Sequence, residues 1–479
     1  MALAMSERKR VLWAENDEAD YIQFKGLLVE SLQAQGIEVD VRWVKSGDAA
    51  TFALAADRGA NLKVDLCILD LELSKDESTP DGIATARVVA KDNPGLPVVV
   101  LSSHLDRVGF SFPVRDLQDR REIIGYFDKA KIEFFIDAVT ALLSTKPTVM
   151  LQLSDLHLGP PGSAQRLSRV LKELARKVQK ESVNLLLVSG DFTDKGVQLG
   201  FRESLTVVRQ FASDLSIGPD QVLTVPGNHD IERTGVDRLA SFDRYLRFLE
   251  ELYPADQESM RGAYRGIYDE ANRSLGSYRG VEPEKIWYVR TIEAQRITII
   301  GFNSVVAVPS TATTMNDGEI SIEQLQDVQE ALDELPLRAR GYTKIALIHH
   351  NLMVVPRSAN LEYQEPVIRN QGLFLKWLSE QGIRTVFHGH THYASVCSID
   401  VHPYPPFTES GWINKPIHVI SSGTVGAEYQ GPHQPLYSAN LVKIESVGFH
   451  GDRVCSVRHY ALDQNAISWR ASNELKLIL

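Results

Sequence analysis

Cysteine is scarce in this chain: three residues among 479, Cys67, Cys397 and Cys455, odd in number and far apart. That excludes a disulfide framework and a cysteine-rich zinc site, and it fits a reducing, cytoplasmic compartment. Long apolar runs are missing too. The most apolar stretches, residues 96–101 and 185–188, fall far short of the roughly 20 residues that a membrane helix needs, and the first eight residues lack the apolar core of a signal peptide. An excess of positive charge is also absent, since 51 Lys and Arg against 62 Asp and Glu leave a net charge of −11. A broad nucleic-acid-binding face needs clustered cations and is therefore not favoured. A nucleotide substrate stays compatible, because bound metals supply positive charge locally. No internal repeat or low-complexity tract stands out. What remains, 43% hydrophobic and 24% charged residues, is ordinary for a globular protein long enough for more than one domain.

Two segments differ in rhythm. Over residues 10–144, apolar runs at 11–14, 39–44, 66–69, 98–101 and 125–127 alternate with helical apolar spacing at 21–34, 47–58, 83–91 and 132–143. Continuous apolar strands between helices predict an α/β fold, a doubly wound parallel sheet with its site at the carboxyl edge. A polar linker over 144–148 follows, and the rhythm restarts with strands at 149–154, 184–189, 221–225, 296–302, 344–348, 385–388 and 418–421. Between 231 and 283 a charged stretch, helical in spacing at 237–252 and 258–275, reads as an insertion beside the site, where specificity commonly resides. The expected domains are 1–145 and 146–479.

Five short motifs in the second segment each follow an apolar strand directly. They are Ser154-Asp155-Leu156-His157, Gly190-Asp191-Phe192-Thr193-Asp194, Gly227-Asn228-His229-Asp230, His349-His350 and Gly389-His390-Thr391-His392. Any one alone reads as a turn or a helix cap; five in this order and context point to a shared cleft. Mixed oxygen and nitrogen ligands suit Mn, Fe, Co, Ni or Zn. Two such ions about 3.5–4 Å apart bind a phosphoryl oxygen and activate a bridging hydroxide for in-line attack. The set resembles the calcineurin-like metallophosphoesterases over residues 148–444. The resemblance implies that Asp155, His157 and His392 hold one metal, that Asp191 bridges, and that Asn228, His349 and His390 hold the other. It gives His229 the phosphate or the leaving group, with Asp230 as its orienting partner, and it implies a two-sheet α/β sandwich completed by strands at 441–444 and 453–461. Asp194 reads equally as a cap for the next helix, and His388 as a strand-end residue behind the ligands. His104, His402, His433, His450 and His459 carry no motif and read as ordinary surface or core residues.

The first segment has its own ordered signals at strand ends: Glu15-Asn16-Asp17, Asp70, Ser102 and Lys129. Acids that hold Mg, an attacking carboxylate, a hydroxyl and an ammonium make an aspartyl-phosphate site. This segment resembles the receiver domain of response regulators over residues 10–143. The resemblance implies a flavodoxin-like fold with Asp70 as phospho-acceptor, Glu15 and Asn16 in the acidic-pair positions, Ser102 as switch hydroxyl and Lys129 as phosphate-binding lysine, with Tyr126 near the aromatic switch. Asn16 stands where the family has an aspartate, and Asp17 is the neighbour that could compensate. The loop over 72–81 is long and lacks a proline directly after Leu73, and Ala130 replaces a proline after Lys129.

The expected activity is a cytoplasmic, metal-dependent hydrolysis of phosphate esters, diesters before monoesters, under receiver control. A histidine kinase or small phosphodonor, a nucleotide-type ester, and a second copy of the chain are the partners this reading allows. Two alternatives stay open: a docking protein with a degenerate receiver and a vestigial or structural metal site, and a two-metal nuclease.

Overall fold

The computed structural model describes residues 8–60, 62–73, 81–93, 96–103, 117, 123–144, 147–231, 242–254, 262–269, 275, 282–305, 318–354, 367–401, 416–426, 437–446, 453–462 and 468–479. The chain divides into two compact units, Met1–Lys146 with Glu445–Arg453, and Pro147–Ile444 with Val454–Leu479.

The first unit is built on β1 (Arg8–Ala14), β2 (Glu38–Val44), β3 (Leu66–Leu69), β4 (Val98–Ser102) and β5 (Gly125–Asp128). All four pairings are parallel, in the order β2-β1-β3-β4-β5. That is the flavodoxin-like order, so the unit is receiver-like in fold. Side chains alternate across the sheet and build two cores. Val11, Trp13, Ile68 and Leu101 meet Phe24 and Leu28 of α1 (Glu18–Ala34) and Phe135 and Val139 of α4 (Ile132–Ser144). Leu12, Ala14, Cys67 and Val100 meet Leu54 of α2 (Gly47–Gly59) and Ala86 and Val89 of α3 (Asp81–Asp92). Each large apolar side chain so buried contributes about 1.5–3 kcal/mol. The helix α1 begins where the Asp17 side chain accepts the Ala19 and Asp20 N–H groups.

Two six-stranded sheets form the second unit. One runs β17-β16-β15-β6-β7-β8, the other β13-β14-β12-β11-β10-β9. Their members are β6 (Thr148–Leu153), β7 (Leu185–Val188), β8 (Val222–Thr224), β9 (Tyr288–Ile292), β10 (Ile297–Gly301), β11 (Thr343–Leu347), β12 (Thr385–His388), β13 (Ala394–Ile399), β14 (Ile417–Ser422), β15 (Tyr437–Ser446), β16 (Arg453–Leu462) and β17 (Trp469–Ile478). β6, β7 and β8 pair in parallel, as do β10, β11, β12 and β14, whereas β9, β13 and β17 at the edges, and β15 against β6, pair antiparallel. Alternation again sorts the side chains. Ile297, Ile299, Ile345, Leu347 and Phe387 share a core with Leu151, Leu153, Leu186 and Val188 of the other sheet. Their neighbours Ile300, Ala346, Ile348 and Val386 turn to α8 (Ile322–Asp333) and to the helix Gln371–Glu380. On the opposite face α5 (Ser163–Val178) and α6 (Gln198–Asp214) cover the first sheet. The result is an α/β sandwich.

The insertion departs from expectation. Its first helix, α7, spans Asp243–Leu252, but residues 262–269, expected as helix, are turns. Gly262 and Gly266 weaken the helical pattern, and a Cβ at Gly266 would run into the Lys285 carbonyl. Residues 232–241, 255–261, 270–274 and 276–281 of that stretch lie outside the described residues, as do 74–80 of the long receiver loop and His104, His402, His433 and His450. Among the described residues, no helix is long and apolar enough to cross a membrane.

Candidate metal centre and receiver site

The five motifs of the second unit meet at the carboxyl ends of its parallel strands. Leu153 of β6 and Val188 of β7 are in register, and the loops beyond them continue to pair: Asp155 N–H donates to the Gly190 carbonyl, and His157 N–H to the Asp191 carbonyl. The backbone at the site is unusual. Eight described non-glycine residues have positive φ, and five of them are Asp155 (57°), His157 (45°), Asp191 (54°), His390 (67°) and His392 (53°). Such conformations cost of order 1–3 kcal/mol each and persist where the surroundings enforce them, commonly at functional sites. Two motif glycines are required for close approach. A Cβ at Gly227 would strike the Asp191 carboxylate, and one at Gly389 would strike the Ser154 hydroxyl.

Two groups of side chains result. In the first, His157 Nε2 lies 3.0 Å from His392 Nε2, and Asp155 Oδ1 lies 3.2 Å from His392 Nε2 and 3.8 Å from His157 Nε2. One ligand atom from each of Asp155, His157, Asp191 and His392 falls within 4.8 Å of all the others. In the second, the Asn228 Oδ1 atom lies 2.9 Å from His349 Nε2 and 3.0 Å from His390 Nδ1. Asp191 Oδ2 stands between the groups, 3.8 Å from His157 Nε2 and 3.4 Å from His349 Nε2. It is His349, not His350, that faces Asp191. Its Nδ1–H donates to the Ser189 carbonyl at 2.6 Å, which fixes the tautomer.

Burial opposes charge on Asp191, yet His349, His229 and His157 around it hold its carboxyl well below the usual range. Burial likewise works against the His349 cation, but the Asp191 carboxylate raises it to about 9. Burial, with the neighbouring His349, lowers His390 to about 3, and burial lowers His157 despite the nearby carboxylates.

His229 and Asp230 sit differently from expectation. The His229 N–H donates to Asp191 Oδ1 at 2.8 Å, and its ring Nδ1 lies 2.5 Å from the Asp194 carbonyl. The orienting partner of His229 is therefore that backbone carbonyl and not the Asp230 carboxylate. Asp230 is fully buried and accepts the Thr193 and Gly227 N–H groups at 3.0 and 2.9 Å, clamping the loops that carry Asp191 and Asn228 together. Burial and the Asp191 charge push its carboxyl well above the usual range. Asp194 does not cap the next helix, whose N-cap is Val197. It can join His157 and His229 around a common point. His388 is buried, with Nδ1 3.0 Å from the Gly389 carbonyl; burial takes it down to about 4.

Ser304 escaped the sequence reading. Its Oγ accepts the His349 and His350 N–H groups at 3.3 and 3.1 Å and lies 2.9 Å from His350 Nδ1. The available signal was Asn303-Ser304 directly after the apolar strand at 296–302, a strand end with no recognised motif.

In the first unit, Lys129 gathers the acids. Its Nζ lies 2.8 Å from Glu15, 3.0 Å from Asp20 and 3.1 Å from Asp70. Burial opposes the ammonium, but Asp70 and Glu15 outweigh it and raise Lys129 above its ordinary value. Burial and the Asp70 charge raise Glu15 to about 7. Ser102 is buried at the end of β4, opposite Asp128. Asn16 is exposed, and Asp17, offered above as its substitute, is committed to capping α1. The second acid beside Lys129 is Asp20, in the first turn of the helix. Sequence spacing missed it because the expected pair was sought at the strand end itself.

The family model described as calcineurin-like phosphoesterase matches residues 149–394. A search of curated proteins finds no match. Among solved structures, the Plasmodium protein GAP50, titled as the anchor in the inner membrane complex, is 11% identical, with a TM-score of 0.37 over 69% of this chain and 88% of its own. The phosphopantetheinyl hydrolase of Mycobacterium tuberculosis is 17% identical, with a TM-score of 0.30 over 58% and 90%. For the first unit, the Mn(2+)-bound form of response regulator Rcp1 is 22% identical, with a TM-score of 0.22 over 28% of this chain and 92% of its own.

Proposed function

This chain belongs to the calcineurin-like phosphoesterase family, hydrolases of phosphoric ester bonds, and from that premise we propose a phosphodiesterase with a dinuclear metal site, regulated through Asp70. The observation that carries the reading is the placement of Asp191 Oδ2 between His157 and His349. Asp155, His157 and His392 would hold one divalent ion, Asn228, His349 and His390 the other, and Asp191 both. The donors fit such ions. Two imidazole nitrogens 3.0 Å apart with a carboxylate oxygen at 3.2 Å lie close enough to share one cation, and the oxygen–nitrogen mixture suits Mn, Fe, Co, Ni or Zn. When bound, these ions supply charge for the phosphoryl oxygens and a hydroxide at neutral pH.

The chain's own residues do the rest. The carbonyl partner of His229 Nδ1 turns Nε2 toward the substrate, and in the imidazolium form Nε2 would carry the proton for the departing oxygen. Ser189 and Ser304 hold His349 and its neighbour in place, and Asp230 locks the Asn228-His229 turn against the Asp191 loop. The acidic balance of −11 favours small diesters over large polyanions. In the first unit Asp70 would accept a phosphoryl group from a histidine kinase or small phosphodonor, and Glu15 and Asp20 would be the acids that hold Mg.

The test is a screen of bis-p-nitrophenyl phosphate, p-nitrophenyl phosphate and a nucleotide panel with protein loaded with Mn, Fe, Ni, Zn or Mg. Diester hydrolysis should exceed monoester hydrolysis. Silence with every metal would sink the reading, and a monoester preference would reverse its substrate lean.

A further inference from the structure

A cavity of about 480 Å³ opens beside the candidate ligands in the second unit. One wall is His392 with Tyr393 and Ser395 at the start of β13, and the other carries Asn440 of β15, His459 of β16 and Ser472 of β17. Its size lies in the range of small-molecule pockets. Among the described residues, no aspartate, glutamate, lysine or arginine lines it. Away from His392 the described lining offers an anionic group no cation and an ammonium no carboxylate, which favours an uncharged group there.

The polar groups of the cavity are oriented from beneath. Asn440 Nδ2 donates to Gln152 Oε1 at 3.1 Å and to the Ser421 carbonyl at 3.0 Å. Its Oδ1 is therefore the acceptor for His459 Nδ1–H, 3.0 Å away. In the neutral ring the lone pair then sits on Nε2, making His459 a hydrogen-bond acceptor toward a ligand. Gln152 extends the chain of bonds, donating to the His388 carbonyl at 2.9 Å, one residue before the Gly389-His390 turn. The same buried network thus positions His459 and a ligand loop.

We propose that this cavity receives the uncharged organic group of the substrate ester, a ring-sized group bearing an NH or OH donor, and that His459 selects it. The proposal rests on the phosphoesterase reading, because His392 is the wall shared by cavity and metal centre.

The test compares two diesters with one leaving group, methyl p-nitrophenyl phosphate and thymidine 5′-p-nitrophenyl phosphate, on the metal-loaded full chain. Wild type should favour the thymidine ester by about tenfold or more in kcat/KM, through KM. His459→Leu, which removes the acceptor, and Ser395→Phe, which fills the cavity, should each bring that ratio toward one. Circular dichroism checks that both variants fold. Equal kcat/KM for the two esters in wild type overturns the proposal and leaves the phosphoesterase reading standing, as does a ratio that neither variant changes. If neither ester is hydrolysed with any metal, the phosphoesterase reading fails instead. Calorimetric binding of thymidine then decides for the cavity as a pocket for such a group, apart from the ester: binding weakened in His459→Leu upholds that part, and no binding, or binding the variant leaves unchanged, overturns it.

Discussion

Asp191 touches both groups of candidate ligands and also receives the His229 N–H, so its replacement separates assembly from chemistry. Asp191→Ala should fold, retain fewer than two metal ions per chain by elemental analysis, and lose at least the 10²-fold in turnover typical of removing one transition-state stabiliser. Two retained metals with near-normal turnover would contradict the assignment. His229→Ala should keep its metals and lose about 10²–10⁴-fold, more on alkyl than on activated aryl esters, since a general acid matters most for a basic leaving oxygen. A loss independent of leaving group would make His229 a binding residue only. Lys129 gives a pH signature. Glu15, raised to about 7, binds a proton on folding, so the stability it takes away grows as pH rises from about 4.5 toward 7. Without the ammonium the three acids repel more, and Lys129→Met should cost up to about 3 kcal/mol at pH 8 and much less at pH 5. Thermal unfolding of the full chain at both pH values checks the sign. At this scale the sequence told most: strand-end Asp, Asn and His residues are visible as motifs. Asp20 and Ser304 were not, because a lone acid within a helix and a lone serine after a strand carry no pattern until the fold brings them beside Lys129 and His349.

Helix α1 shows how an element can claim a residue that chemistry also wants. Asp17 spends its carboxylate on two N–H groups of the first turn. Asp17→Ala should therefore lower stability by about 1 kcal/mol, as for other N-caps, and leave phosphodonor labelling of Asp70 unchanged; loss of labelling would return Asp17 to the metal. The parallel strands were legible because strands buried on both faces read as continuous apolar runs. Edge strands were harder. β13 is half exposed and β17 mostly so, with a polar, mixed pattern, and neither stood out. The expected helix over 258–275 failed within residues 262–269 because Gly262 and Gly266 permit turns that pack Tyr264 and Ile267 into the core.

The whole chain joins a receiver-like unit to a phosphoesterase, and that pairing is the reason to expect regulation. Phosphorylation of Asp70 would place about −1.5 to −2 charges, by analogy with other phosphoryl groups, against Lys129, which already sits among three carboxylates. The second unit responds only if the two states of the first interact with it differently. A coupling of about 1–3 kcal/mol would alter activity about 5–150-fold. Treating the protein with acetyl phosphate and Mg, beside Asp70→Ala, measures it. Labelled Asp70 without any change in rate would leave the first unit as a docking platform.

The left-handed backbone at Asp155, His157, Asp191, His390 and His392 bears on how this enzyme can evolve. Glycine is the residue most at ease there, with Asn, Asp and His next. Selection for heat resistance alone would drift these five sites toward glycine, and every step would delete a candidate ligand. Thermal robustness and chemistry therefore compete at the same positions. Variants bred for longevity should gain it elsewhere, or become durable and inert.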